Sequence, residues 1–313
     1  MRKNHINSNR STEPIDSEKS YILLSLLDSF FDRIDISSNI WLSIDLLHIF
    51  TSIKIRSKSE IKFSLNLILE YLRNNSDKFS ILIVPSFSFG FPKTKTFNTV
   101  NSHPELGSFP NYIYEKKYPL RSMHPFYSFY VFGKNANLFL DKSDGLYDSV
   151  GKNSIFNYIY LHKFKLVSIG HHYALALSSI HQTEYLLNVN YRTIVYFSGN
   201  LKDPTRKLET QGKFNFYSRN RDICDFSGIT IEGLKQLHCN SISQSCLFHK
   251  STIGYYILDL NEANEYILKY HNEEVPLVDY IHESSGRYLG VVTSKVSIEL
   301  YRQFIKNHGH ANL

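Results

Sequence analysis

The sequence predicts an α/β fold with a mixed, centrally parallel sheet and helices on both faces. Short runs of bulky apolar residues, which are typical of buried strands, alternate along the chain with longer segments of helical periodicity. Such alternation indicates a mainly parallel sheet that is covered on both sides. Residues 191–221 instead alternate in polarity and contain few helix signals. We therefore expect antiparallel strands there.

The predicted elements begin in the order helix, strand, helix, strand. Buried strands are expected at 40–44, 80–84 and 165–170. Helices are expected at 20–33, 59–74, 178–189, 231–237, 261–270 and 297–306, and another helix ends near residue 162. Residues 1–19 are polar and lack periodicity, which predicts a mobile tail before a single domain at 20–313.

The composition is that of a folded globular protein. Of the 313 residues, 42% are hydrophobic and 14% are aromatic, which excludes a disordered chain. The formal net charge of +6 fits an anionic ligand or a weak contact with nucleic acid. We expect a small-molecule partner and no nucleic acid, because only Lys93 and Lys95, between Phe91 and Phe97, hint at a basic aromatic surface.

Cysteine use and hydropathy predict where the protein works. Its three cysteines are too few for a disulfide framework and fit the reducing cytoplasm. The sequence lacks an apolar stretch of the ~20 residues that a membrane helix needs. No apolar run follows the basic N-terminus as it would in a signal peptide. The sequence therefore predicts a cytoplasmic protein that makes no contact with a membrane.

Candidate binding residues follow the first two predicted strands. Ser43 and Asp45 close the first strand, and Ser86 and Phe87 follow the second. In open α/β sheets, ligands bind outside the carboxyl ends of the strands, so these residues are candidates for a binding site. The alternative is structural, because Ser and Asp are among the commonest helix caps and a strand-exit loop is often only a connection.

Arg121, Ser122 and His124 form a third cluster, in a stretch with few regular signals. A guanidinium, a hydroxyl and an imidazole occur within four residues and are followed by Pro125. These side chains suit a site loop. A motif of this length is interpreted only together with its structural context.

His181 and Glu184 form the most specific cluster. They are separated by three positions on a predicted helix, so they share one face. A histidine exchanges protons near neutral pH, and a nearby carboxylate can orient it or attract a cationic substrate. The alternative is a helix-surface pair without a catalytic task, which the residue types alone favour.

The sequence does not predict a metal site or a glycine-rich phosphate loop. His238, Cys239, Cys246 and His249 lack the paired short gaps that are typical of zinc ligands. Neither a Gly-x-Gly-x-x-Gly nor a Gly-x-x-x-x-Gly-Lys element occurs, and a Gly-x-Ser-x-Gly nucleophile elbow is also missing.

Taken in order, the short motifs resemble those of a known family. They lie at Leu42–Leu46, Pro85–Ser88, Gly107–Phe109, Arg121–Ser128, Gly151–Ser154, Ile169–Gly170, Ser178–Glu184 and Tyr191–Arg192. This series resembles the aminoglycoside 3-N-acetyltransferases, whose motifs include Arg-Ser-x-His-Pro and Thr-x-x-His-x-x-Glu. The resemblance covers about residues 20–275 and implies the antibiotic N-acetyltransferase fold.

The resemblance also implies direct transfer of an acetyl group from acetyl-CoA to the amine of an amino sugar. The implied catalytic residues are His181, as the general base, and Glu184. The residues expected at the acetyl-CoA site are Ser43, Asp45, Ser86, Phe87, Arg121 and Ser122, and those expected at the acceptor are His124 and Asp225. We expect these clusters to surround one cleft, without a metal ion.

One departure from the family pattern concerns the acceptor. The first turn reads Ser43-Ile44-Asp45 where the family has His-Ser-Ser, and the resemblance fades beyond about residue 192. This drift favours an acceptor other than a classical aminoglycoside, and the net positive charge leans towards a nucleotide-linked amino sugar. A catalytically inert binding protein on the same fold is the alternative, and the sequence leaves a homo-oligomer open.

Overall fold

The computed structural model of the protein describes residues 17–32, 38–171, 173, 176–240, 242–248, 253–274, 276–282 and 287–288. The helix predicted at 297–306 and most of the predicted tail lie outside these residues. The side chains of 238–254, which include the zinc-like cluster, also lie outside the described part. The first helix begins at Ser17, slightly before its predicted start.

The helices and strands are numbered separately in chain order. The helices are α1 (Ser17–Phe31), α2 (Leu46–Ser52), α3 (Lys58–Asn74), α4 (Phe91–Thr94), α5 (Ser108–Glu115), α6 (Ala136–Ser143), α7 (Ile155–Leu161), α8 (Ile180–Leu186), α9 (Ile231–Asn240) and α10 (Leu260–Tyr270). The strands are β1 (Asn39–Ile44), β2 (Ile81–Pro85), β3 (Thr96–Asn98), β4 (Phe129–Phe132), β5 (Lys165–Ile169), β6 (Arg192–Asp203), β7 (Leu208–Arg219), β8 (Phe226–Ile229), β9 (Ile242–Phe248), β10 (Ile253–Asp259), β11 (Val278–His282) and β12 (Arg287–Tyr288). Among the described helices, none has both the length and the apolar composition needed to cross a membrane.

The main sheet is parallel at its centre and antiparallel at its edges. Its described strands lie in the order β4-β2-β1-β5-β10-β9. β1 pairs in parallel with both β2 and β5. β4 pairs antiparallel with β2, and β10 pairs antiparallel with β5 and β9. This arrangement confirms the predicted mixed, centrally parallel sheet.

Helices cover both faces of this sheet, as predicted. Successive side chains of a strand point to opposite faces, and β1 shows this clearly. Trp41 belongs to one buried cluster, which includes residues of α6, α7 and α10. Ile40 and Leu42 belong to the other cluster, which includes residues of α1, α2 and α3. The sheet therefore lies between two apolar layers.

A long hairpin accounts for the alternating segment at 191–221. β6 and β7 each contain 12 residues and pair antiparallel from Arg192 and Arg219 at the open end to Asp203 and Leu208 at the turn. β3 pairs in parallel with β6. The pairing of β6 with β7 confirms the antiparallel strands predicted for this segment. A further small sheet has the order β12-β11-β8.

The structure contains elements that the sequence analysis missed. β4 has four residues, all of them buried, so it is too short to show a periodicity of two.

α8 ends at Leu186, before the predicted end at residue 189. Its early end agrees with the left-handed backbone at Asn188, where φ is 52°, because such a conformation interrupts a right-handed helix.

Candidate active site

A cavity of about 410 Å³, here called the first cavity, opens at the carboxyl ends of the parallel strands. Residues at or just beyond the ends of β1, β2 and β5 line it, together with the start of α5. Its lining includes Ser43, Asp45, Leu106, Ser108, His171 and Ser178. Its position is the one in which open α/β sheets bind ligands.

Ser43 and His171 meet in the first cavity. The Oγ atom of Ser43 lies 3.1 Å from Nε2 of His171, which follows β5. Burial lowers the pKa of His171 to about 4, although the nearby Asp45 carboxylate opposes this shift. The imidazole is therefore neutral near pH 7 and serves as a polar hydrogen-bonding group in the cavity.

Asp45 lines the first cavity and also caps α2. Its carboxylate accepts a hydrogen bond from the backbone N–H of His48 at 3.1 Å, as expected for the helix-cap alternative. Its own N–H donates to the carbonyl of Ile169 at 2.8 Å. Gly170 makes this close approach feasible, because a Cβ atom there would lie 2.9 Å from the carbonyl oxygen of Asp45.

A second cavity of about 500 Å³ adjoins the first. Leu106 and Ser178 line both cavities, so the two spaces share part of their wall. The open end of the β6–β7 hairpin and several aromatic rings form the rest. Its lining includes Phe87, Phe89, His181, Arg192, Arg219, Arg221 and Phe226.

His181 lies in the wall of the second cavity, and Glu184 contacts its imidazole on the side away from the cavity. Nδ1 of His181 lies 2.7 Å from Oε2 of Glu184, and Nε of Arg192 lies 2.7 Å from the same oxygen. The side chain of His181 is 20% exposed, whereas that of Glu184 is 0% exposed. Tyr191 donates a further hydrogen bond to Glu184. The imidazole therefore faces the cavity, and the carboxylate is enclosed behind it.

These contacts determine the protonation of the pair. Burial opposes the charge of Glu184, but His181 and Arg192 outweigh this effect and lower the pKa of its carboxyl group. Burial, Arg192 and Arg219 lower the pKa of His181, against the raising effect of Glu184. An ionised carboxylate only accepts hydrogen bonds. Nδ1 of the neutral imidazole therefore carries the hydrogen atom and donates a hydrogen bond to Glu184. Nε2 is then left as a proton acceptor.

Arg121 lines neither cavity, in contrast to its expected place at the cofactor. Its side chain is 0% exposed, and the guanidinium donates to the carbonyl oxygens of Ser86 and Ser102 and to the hydroxyl groups of Ser86 and Ser128. Burial lowers the pKa of Arg121 to about 10. The guanidinium thus links the segment after β2 to the two loops that contain Ser102 and Ser128.

Ser122 and His124 are likewise directed into the protein. The Oγ atom of Ser122 accepts a hydrogen bond from the N–H of Phe129. Nδ1 of His124 accepts from the N–H groups of Phe126 and Tyr127, at 3.0 and 2.7 Å. Burial lowers the pKa of His124 to about 3. Both side chains therefore brace the loop that leads into β4, and they do not reach a wall of the two described cavities.

The remaining candidates fall in different places. Phe87 lines the second cavity, whereas Ser86 is fully buried beside Arg121. Asp225 is exposed and lies outside the described cavity walls, but its carbonyl accepts a hydrogen bond from Arg219. The clusters expected around one cleft are thus divided between two adjoining cavities and a buried network.

Several cavity residues were not among the sequence-predicted site residues. Arg219 and Arg221 reach the second cavity only because β6 and β7 pair over their full length. Arg192 occurs in the motif series, but its contact with Glu184 depends on the fold. His171 is one of two adjacent histidines, which sequence spacing alone does not place.

Comparison with protein families agrees with this geometry. Residues 90–229 match the family model described as aminoglycoside 3-N-acetyltransferase. The predicted family resemblance is confirmed. This stretch, somewhat less than half of the chain, is similar to enzymes of the aminoglycoside 3-N-acetyltransferase type. No curated protein matches the chain in sequence.

Solved structures show the same fold at low sequence identity. AAC-IIIb, solved as a binary complex with CoASH, has a TM-score of 0.57 and 12% identity, over 82% of this chain and 96% of that chain. Aminoglycoside acetyltransferase AAC(3)-IIb has a TM-score of 0.56 and 12% identity, over 80% and 95%. AAC-VIa bound to sisomicin has a TM-score of 0.53 and 13% identity, over 80% and 96%. These similarities show a shared fold.

Proposed function

We propose that the protein transfers an acetyl group from acetyl-CoA directly to the amine of an amino sugar, with His181 as the general base. The observation that carries the proposal is the pair of adjoining cavities, with the His181 imidazole in the wall of the second. Ser178 lines both cavities and lies one helical turn before His181, whose N–H donates to the Ser178 carbonyl. The base therefore lies close to the junction of the two spaces.

The first cavity suits acetyl-CoA. The likeness to AAC-IIIb, which was solved with CoASH, supports a CoA site on this fold. Ser43 and the backbone N–H of Ser108, at the start of α5, are available to hold the polar parts of the cofactor, since helix N-termini favour anions. Asp45 shapes this wall by capping α2. Phe87 contributes apolar surface to the adjoining second cavity.

Ser86, Arg121 and Ser122 support the cofactor site indirectly in this proposal. Arg121 binds both the hydroxyl and the carbonyl of Ser86, directly after the β2 strand that ends at the first cavity. His124 supports the neighbouring loop in the same way. These residues preserve the cavity wall, and their own polar groups are already used by the protein.

The reaction requires one proton acceptor and one oxyanion donor. The acceptor nitrogen attacks the thioester carbonyl as His181 Nε2 takes its proton, and the carbonyl oxygen becomes an oxyanion. When the carbonyl re-forms, the C–S bond breaks, and the CoA thiolate takes the proton from the imidazolium. The hydroxyl of Ser178, which lines the junction, is a candidate donor to the oxyanion. Glu184 orients the imidazole and stabilises its cationic form.

A catalytically inert binding protein is the rival function. The hydrogen bond between His181 and Glu184 argues against it, because the bond leaves a proton acceptor directed at a cavity. The proposed acceptor is an amino sugar, either of the aminoglycoside type or linked to a nucleotide.

The proposal is tested by measuring acetyl-CoA binding and thiol release. We expect calorimetry to detect acetyl-CoA binding without an acceptor, and thiol release to begin when a suitable amino sugar is added. A panel of aminoglycosides and nucleotide-linked amino sugars covers both acceptor types. Absence of acetyl-CoA binding at millimolar concentration would contradict the proposed function.

A further inference from the structure

The second cavity carries positive charge. Arg192, Arg219 and Arg221 line it together with His181, and its described lining contains no carboxylate. Glu184 lies behind His181, is fully buried, and is already bound to His181 and Arg192. Its single negative charge therefore compensates Arg192 and leaves the charges of Arg219 and Arg221 uncompensated within the cavity.

Arg219 and Arg221 are placed to receive a ligand. Arg219 lies opposite Arg192 in the β6–β7 register, and like charges at directly opposite positions destabilise a hairpin. Among the ion pairs of the described residues, none includes Arg219 or Arg221. Arg219 donates to the carbonyl of Asp225, which uses one of the five N–H donors of a guanidinium. A bound anion would supply the missing counter-charge.

Aromatic rings flank these arginines. Phe89 and Phe226 line the second cavity and are 40% and 41% exposed. Large rings with this exposure offer flat apolar faces to a sugar or a planar base. The cavity thus combines a proton acceptor, two uncompensated cations and open aromatic faces.

We propose that the acceptor is a phosphate-bearing amino sugar whose phosphate binds Arg219 and Arg221. The reaction at the amine rests on the proposed acetyl transfer. The positive charge of the second cavity supports a phosphate-bearing ligand independently of that reaction. A polycationic aminoglycoside would meet like charges in this cavity. A guanidinium binds phosphate through paired, charge-assisted hydrogen bonds.

A matched set of ligands tests this proposal. Glucosamine, glucosamine 1-phosphate and UDP-glucosamine share one sugar and one amine and differ in the anionic group, and sisomicin serves as the polycation. We expect calorimetry in the presence of CoA to show tighter binding of both phosphorylated ligands than of glucosamine. Arg219→Gln and Arg221→Gln should each weaken that binding by about 10- to 100-fold, the range for a hydrogen bond to a charged group.

The controls separate a local charge contact from a general effect. Lys213→Gln removes an exposed cation from the same strand, β7, outside the second cavity, and should change none of these affinities. Neither arginine variant should weaken glucosamine binding. The preference for phosphorylated ligands should decrease as salt is added, because partly exposed charges are screened.

The two phosphate sources give different results. If the acceptor is nucleotide-linked, UDP-glucosamine binds more tightly than glucosamine 1-phosphate, and Phe226→Ala removes only that difference. If the acceptor is a sugar phosphate, the two ligands bind alike and Phe226→Ala changes neither.

Equal binding of glucosamine and its phosphorylated forms, or a preference for sisomicin, would overturn the inference. Thiol release with sisomicin alone would overturn it as well, while supporting the proposed acetyl transfer. Arginine-dependent binding of the phosphorylated sugars, without acetyl-CoA binding or turnover, would support the ligand class and contradict the proposed function.

Discussion

Nδ1 of His181 lies 2.7 Å from Oε2 of Glu184, in a pair whose imidazole lines a cavity and whose carboxylate is fully buried. This short hydrogen bond keeps Nδ1, the donor nitrogen of the imidazole, directed towards the protein interior. Arg192 lies at the same distance from the same carboxylate oxygen, so the carboxylate remains ionised. One buried anion thereby orients the imidazole and balances one cation of the hairpin.

Replacement of the imidazole should remove the proton acceptor. We expect His181→Ala to lower kcat by about 10²- to 10⁴-fold, the usual contribution of a positioned acid–base group. Acetyl-CoA affinity should change little, because in the proposed mechanism the imidazole acts on the acceptor amine. Steady-state kinetics and calorimetry measure the two effects. His162→Ala, at an exposed histidine just after α7, is the control. Turnover near the wild-type level in His181→Ala would identify another base.

Replacement of the buried carboxylate should affect catalysis and stability together. Glu184→Gln leaves the charge of Arg192, which is 6% exposed, without its partner. Loss of one member of a buried ion pair costs about 3–5 kcal/mol, so we expect a clear decrease in the free energy of unfolding. The kcat should fall less than in His181→Ala, since the imidazole remains. A rise in the acceptor KM alone would show that Glu184 attracts the substrate instead.

The acid side of the pH–rate profile should report His181. Burial and Arg192 lower its pKa from 6.5, and Arg219 adds to this effect. Because the base must be neutral, the rate should fall only as the pH drops below the ordinary histidine range. Arg219→Gln removes a cation that lowers this pKa, so the acid limb should move to higher pH. The same limb in wild type and Arg219→Gln would place the titrating group elsewhere. Lys213→Gln is the matched control.

The Arg121 network should contribute to stability more than to cofactor binding. Each buried acceptor that loses its donor costs about 1–3 kcal/mol, and Arg121 donates to several such oxygens. We expect Arg121→Met to lower the midpoint of urea unfolding markedly. Arg73→Met removes an exposed arginine and should have little effect. A normal midpoint with weakened acetyl-CoA binding would instead indicate direct contact with the cofactor.

A methyl group at Gly170 should disturb the first cavity. Gly170 and Gly145 both have positive φ, at 80° and 88°, but of the two only Gly170 has neighbouring atoms within 4 Å of the place that a Cβ atom would take. Gly145→Ala should therefore cost about 1–2 kcal/mol for the left-handed backbone alone. Gly170→Ala should cost more and weaken acetyl-CoA binding, because its methyl group meets the Asp45 carbonyl. Equal stability and normal acetyl-CoA affinity in the two variants would contradict this.

The sequence predicts best what depends on neighbouring residues along the chain. The sheet pattern around β1 and the His181–Glu184 face follow from periodicities of two and three to four residues. The roles of Arg121 and His124 depend on which way a loop turns its side chains, which the motif does not specify. Arg219 acts at the cavity only through pairing with a strand that begins at Arg192. Such long-range pairing leaves no local signal in the residue types.

The β6–β7 hairpin lines one of the two cavities, and the parallel sheet lines the other. Ser43, Asp45 and His171 line the first cavity from the parallel sheet, whereas Arg192 and Arg219 line the second from the hairpin. If the proposed function holds, substitutions at the open end of the hairpin alter the choice of acceptor without altering the residues that line the first cavity. The fold is in this sense modular, and under the proposed function a few changes in one supersecondary unit are enough to admit a new acceptor.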